Sequence, residues 1–287
     1  MHWRYGEQLR WTLVTIGLTE DAGQYAERGY TTTRSAIGYA RFRRFGMPFQ
    51  ITPKARLSAT SPACRAIVAT RLAAPELEDS ALRALQLAQF TTTATIDDPD
   101  TLRAALAGVD GLDAGAVVDH LDDPEIVAAY EADRARARTA EGSPTEFQGR
   151  AADTDGAVRY TAPSLVFRGE DGGILEAGGF QPIEAYDVVI ANLDPTLERQ
   201  PPAEDPVEVL APFPYALTTA EGGRGDDRAP GRPRRGRRGG RAHHRGGRGT
   251  SHAPARGRRL ALGAGGLSIL GAHLIERRQL ACRVRRR

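Results

Sequence analysis

All eight Phe, all eight Tyr and both Trp of this 287-residue chain lie before position 222. A packed core needs large apolar side chains, and the segment 222–287 offers no aromatic one, running instead through Arg, Gly, Pro, Ala and His. The folded part is therefore expected to end near residue 221, and residues 222–287 to form a disordered Arg/Gly-rich tail.

Charge divides at the same place. The tail holds 19 Arg, no Lys and only Asp226, Asp227 and Glu276 as acids, a net of +16, so the segment 1–221 carries −13 and the overall +3 describes neither part. A polycation of this kind binds nucleic acid through its phosphates without reading sequence, although the usual interleaved aromatics are absent. Two other readings of the tail stay open. A GC-rich gene read out of frame yields the same residue types, and Leu260–Ile275 is apolar enough to lie on a membrane surface.

Cys64 and Cys282 form no close pair, so neither a disulfide framework nor a zinc site is indicated. The amino-terminal residues 1–7 contain no apolar run, and no segment offers the roughly 20 apolar residues that span a bilayer. The expectation is a cytoplasmic protein with no membrane span.

Periodicity orders the segment 1–221. From Gln8 to Leu18, Leu9, Trp11 and Leu13 alternate with Val14, Ile16 and Leu18, the pattern of a strand covered on both faces. A helix is predicted over 34–44, ended by Gly46 and blocked by Pro48. Residues 58–145 are rich in Ala and Leu at a period near 3.6, and Ser61-Pro62, Asp98-Pro99 and Asp123-Pro124 each place a capping side chain before a proline suited to a first helical turn. Beyond Gly149 a strand is predicted through Val158, Tyr160 and Leu165–Phe167, then a turn at 169–173 and a second strand over 174–177. A helix from Pro182 to Leu193 follows, with a stripe of Ile183, Tyr186, Val189, Ile190 and Leu193. Residues 200–221, with five prolines before 215, read as a linker.

This order is that of an α/β chain with a helical insertion. Thr161-Ala162-Pro163-Ser164-Leu165-Val166-Phe167 resembles the segment where thioredoxin-fold proteins place a cis-proline before a hairpin strand. Leu175-Glu176-Ala177-Gly178-Gly179 followed by Pro182-Ile183-Glu184-Ala185-Tyr186 is similar to that family's last strand and helix. With Phe45-Gly46-Met47-Pro48-Phe49 and Ser61-Pro62-Ala63-Cys64-Arg65-Ala66, residues 1–221 resemble the cytoplasmic DsbA-like family of dithiol-disulfide isomerases and hydroxychromene carboxylate isomerases. The resemblance implies a thioredoxin-like fold in three parts, with residues 1–57 and 146–199 flanking a helical insertion at 58–145. Its first strand and first helix are incomplete, because Trp3-Arg4-Tyr5-Gly6 looks like the end of that helix.

The resemblance further implies that Pro163 is the cis-proline, and that Thr161 and Ala162 present backbone to a thiol or disulfide substrate, protein or small molecule. The other reading of Pro163 is the start of an edge strand, where its missing N–H is harmless. No catalytic residue is assigned. The family's nucleophilic cysteine, or the serine of its glutathione-dependent isomerases and transferases, stands at the start of the first helix, and that segment is expected upstream of Met1. No bound cofactor is expected, and glutathione enters only as a co-substrate. A non-catalytic adaptor remains the third reading.

Cys64 follows a predicted helix start, where the dipole favours thiolate, but its apolar neighbours favour an inert buried thiol. His120 reads as a solvated turn residue. Asp97, Asp98, Asp122 and Asp123 read as helix caps.

Overall fold

The computed structural model describes residues 1–153, 155–210, 212–218, 221 and 271–277. Its first turn of helix, α1 (His2–Tyr5), leads into strand β1 (Leu9–Thr15), whose Val, Thr and Trp side chains suit a pleated surface. Both faces of β1 are covered, as its sequence predicts: Leu13 joins the helical core, Leu9 and Trp11 join the core under the sheet, and Val14 joins Ile16 and Ala137.

After the short α2 (Gly23–Glu27) comes α3 (Thr32–Phe42), started by Thr31, whose side chain accepts from the Arg34 amide at 3.1 Å. It passes into a 3-10 turn at Arg43–Phe45 and stops at Gly46, whose φ of 81° only glycine adopts freely. The helical block then runs through α4 (Ser61–Ala73), α5 (Glu78–Thr91), α6 (Pro99–Leu106), α7 (Ala114–Asp119), α8 (Pro124–Ala137) and α9 (Pro144–Phe147). Its core gathers Ile67, Val68, Leu85, Ile96, Leu102, Leu106 and Tyr130, all but fully buried. Each such side chain contributes about 1.5–3 kcal/mol through burial.

The predicted single strand from Val158 to Phe167 is two. β2 (Ala151–Asp153) and β3 (Val158–Tyr160) form a separate antiparallel pair, and β4 (Leu165–Arg168) pairs with β5 (Ile174–Ala177) as the expected hairpin. Pro163, lacking an N–H, interrupts the run. Helix α10 (Ile183–Leu193) lays Tyr186, Val189, Ile190 and Leu193 on this hairpin beside Phe167, whereas Ile183, expected on the same stripe, is 36% exposed at its start.

Two expectations about the carboxy-terminal third change. Residues 200–210 and 212–218 do not lead away from the domain. They first run along α1, where Gln200 N–H donates to Arg4 O at 2.8 Å and Trp3 Nε1 to Pro201 O at 3.1 Å, then form α11 (Pro206–Leu210) and bury Val209. Buried Val209 and half-buried Phe213, whose ring lies 5.8 Å from that of His2, supply the contact that a linker reading overlooks. The tail is also not wholly outside the fold, because Gly271–Arg277 forms β6 in the centre of a four-stranded sheet of order β1-β6-β4-β5. β6 is antiparallel to β1 and parallel to β4, with Leu13 and Leu165 both in register with His273. The predicted disorder at 222–270 and 278–287 falls outside the described residues.

The observed class is therefore mixed α/β, a helical layer joined through β1 to a small sheet. No helix among the described residues is long and apolar enough to cross a membrane.

Candidate functional site

Thr161, Ala162 and Pro163 form the bend that delivers the chain from β3 into β4. Its shape is fixed by hydroxyls: Thr161 Oγ1 donates to Arg150 O at 2.6 Å, Ser164 Oγ donates to Thr161 O, and Gly179 N–H donates to Ser164 Oγ at 3.0 Å. The Ala162–Pro163 peptide bond is cis. Ser164 is buried, while Thr161, Ala162 and Pro163 are half-buried. Ala162 rests on Val14, Ile16 and Ala137, so the bend sits against the carboxy-terminal end of β1. Its amide and carbonyl take no hydrogen bond within the described residues, which leaves one donor and one acceptor at the rim of the sheet.

The end of β1 is held by charges that the pattern of apolar residues does not announce. Asp133 of α8 is buried and accepts from Thr15 N–H at 2.8 Å, Thr15 Oγ1 at 3.0 Å and Arg71 Nη2 at 2.9 Å. Arg71 also donates to Leu13 O at 3.0 Å and to Glu78 at 2.5 Å. Arg138 donates to the Ile16 and Gly17 carbonyls at 2.8 and 3.0 Å, and Arg138 and Arg134 together hold the Asp155 carboxyl below the usual carboxylate range. The sequence does carry one signal of this. Ile126, Tyr130, Asp133 and Ala137 fall on one helical face, so an aspartate stands where an apolar residue belongs.

Beneath the same end of β1 lies Cys64. It is fully buried, and burial pushes its thiol up to about 12. At neutral pH it is a thiol and not a nucleophile. Ser61 does not cap α4. Its hydroxyl donates to Thr19 O at 3.0 Å and lies 2.5 Å from the Tyr130 hydroxyl, which in turn donates to Glu20 at 2.7 Å.

Of the four aspartates expected as caps, only Asp98 behaves so, accepting from Asp100 N–H at 3.2 Å. Asp97 instead accepts from Ala59 N–H at 2.9 Å and pairs with Arg56 at 2.7 Å, and Asp122 pairs with Arg65. Asp123 stands at the cap position of α8 without a capping bond and meets His120 Nδ1 at 2.9 Å on an exposed turn. Asp97 and Asp122 are drawn to arginines distant in sequence, which local spacing cannot reveal. Among the described residues no group of His, Cys, Asp and Glu is arranged to hold a metal ion.

Comparison with protein-family models and with curated proteins gives no match for this chain.

Proposed function

We propose that the chain is a thioredoxin-like module of the DsbA type, a thiol–disulfide oxidoreductase or dithiol isomerase by descent, in which Thr161, Ala162 and Pro163 present backbone to an extended thiol or disulfide substrate. The observation that carries this reading is the free amide and carbonyl of Ala162 at the rim of the sheet, on a bend pinned from both sides by Thr161 and Ser164. An extended peptide satisfies both groups by adding a short strand there. The order strand, helical insertion, hairpin and closing helix also supports it.

Thiol chemistry needs a thiolate near pH 7, and Cys64, held near 12, does not supply one. Cys282 lies outside the described residues. The chain is thus proposed as the substrate-holding part of such a module, with glutathione as the small-molecule form of the same thiol substrate and no bound cofactor.

Hydrogen exchange of the full chain, with and without a peptide carrying an S-methylated cysteine, tests the reading. Slowed exchange at the Ala162 amide is expected; exchange there that is unchanged at saturating peptide would remove the basis of the assignment. Insulin-disulfide turnover by the full chain is expected to be the same for wild type and Cys64→Ser.

A further inference from the structure

Every residue from Arg28 to Pro75 is neutral or basic: nine cations and no Asp or Glu, which leaves −22 for the remainder of the segment 1–221. Most arginines outside this stretch have a carboxylate, among them Arg4 with Asp187, Arg83 with Glu221, Arg103 with Asp119 and Arg138 with Asp155, and within it Arg71 has Asp133. Along α3 and the 3-10 turn that follows it the pattern fails. Arg34, Arg41, Arg43 and Arg44 are exposed, and none meets a carboxylate among the described residues. Arg34 and Arg41 lie two helical turns apart on one face with Ile37, itself 54% exposed, between them.

Helix stability does not account for this face. Cations at the carboxy-terminal end of a helix are favourable, but Arg34 stands in the first turn, where the dipole opposes it and no acid offsets it. The face is also tied to the bend. The Phe45 ring lies 5.2 Å from Phe180; Arg150 Nη1 donates to Phe180 O at 3.0 Å, and Arg150 O receives the Thr161 hydroxyl.

We infer that the exposed arginine face of α3 selects the substrate of the neighbouring bend, and that this substrate is an extended polypeptide with acidic side chains close to its cysteine. The inference rests on the proposed role of Ala162. An 11-residue helix is about 16 Å long, the span of about five residues of extended chain. A stretch of that length spans the arginines, and the residues that follow it past Phe45 and Arg150 are the ones whose backbone pairs with Ala162. A long phosphodiester polymer would run past the helix onto a surface of its own sign.

The test uses the full chain and a ten-residue probe with four Glu, one S-methylcysteine and a photo-crosslinking side chain, its adducts mapped by mass spectrometry. Adducts are expected on residues 28–45 and 161–164. The exposed quadruple variant R34Q/R41Q/R43Q/R44Q, shown by circular dichroism to stay folded, is expected to bind at least tenfold more weakly and to lose both sets of adducts. Adducts at 161–164 with unchanged affinity in that variant would overturn the inference and leave the Ala162 reading standing. The absence of adducts at 161–164 in the unsubstituted chain would overturn both. Adducts confined to residues 222–287 would place acidic-peptide binding on the tail and also overturn it. A single-stranded RNA that occupies residues 28–45, excludes the probe and is released by the same four substitutions would assign the face to nucleic acid instead.

Discussion

Asp133 stands on a helix face otherwise made of Ile126, Tyr130 and Ala137, and it is tolerated there because its carboxylate is met by Thr15 and Arg71. Asp133→Asn keeps the shape and removes the charge, leaving the Arg71 guanidinium beside the Leu13 carbonyl with Glu78 as its one remaining counter-ion among the described residues. Leaving a buried charge without a partner costs about 3–5 kcal/mol; because Arg71 is a quarter exposed and keeps Glu78, the loss is expected below about 3 kcal/mol, as a lowered urea midpoint. Gly17 makes the second prediction at this scale. Its φ of 55° disfavours any other residue by about 1–2 kcal/mol, and a Cβ there would overlap the Tyr130 hydroxyl. Gly17→Ala is therefore expected to lower the melting temperature, and Gly17→Ala/Tyr130→Phe to recover only part of the loss, since removing the hydroxyl takes away the contact with its oxygen but leaves Cζ at 2.8 Å and the backbone cost, and gives up the bond to Glu20. Neither site was legible in the sequence beyond the misplaced polarity of Asp133. The partners, Thr15 and Arg71, lie 118 and 62 positions away, and no local period links them.

At the scale of elements, the strands and helices with strong period were legible: β1, the α4–α8 block, the β4–β5 hairpin and α10 all lie where alternation or 3.6-residue spacing places them. The bend at 161–164 was legible as a break only through Pro163. The docked segment at 200–210 and 212–218 and the tail strand were not, because prolines and glycines mask short apolar stretches whose value depends on what they meet. β6 carries the sharpest consequence. Its pairing on both sides joins β1 to the β4–β5 hairpin, and no other strand among the described residues links them in the sheet. Its amides and those of β1 and β4 should exchange slowly and together. A proline at position 274, opposite Thr12 and Val166, removes a ladder donor from a central strand, where proline is not accommodated. Leu274→Pro is expected to release protection in β1 and β4 at once while Ser61–Ala73 and Pro124–Ala137 keep theirs. Free-peptide exchange rates at 271–277 in the unsubstituted chain would show that the sheet is closed by something else.

For the whole molecule, the groups that burial has pushed farthest are acids kept neutral, Cys64 and Tyr130 among them, and each makes part of the stability sensitive to alkaline pH. Cys64 ionises with an ordinary pKa of 9.0 when the chain is unfolded and near 12 when it is folded. Between those values the unfolded chain holds one proton fewer at this site than the folded one, so the Cys64 contribution is complete below pH 9 and falls as pH rises, by up to about 1.4 kcal/mol per pH unit. Tyr39 and Tyr130, whose hydroxyls burial also holds above the usual tyrosine range, add to the slope only beyond pH 10. The two contributions separate by mutation. Lys54, whose ammonium burial lowers from an ordinary 10.5 to about 8, leaves the unfolded chain with more protons between those values and adds the opposite slope. The test is therefore the difference in stability between the unsubstituted chain and Cys64→Ala, read from urea midpoints: it should be level from pH 7 to about 9 and then fall by up to about 1.4 kcal/mol per pH unit. Cys64→Ala also leaves a small cavity, which lowers the whole curve without changing its shape. An unchanged slope between pH 9 and 10 in that variant would mean that Cys64 reaches solvent in the folded chain. It would then be available to thiol reagents and would have to be reconsidered as a nucleophile. The reactivity of Cys64 and its contribution to stability at alkaline pH are thus one question, answered by whether the helical core around α4 stays closed.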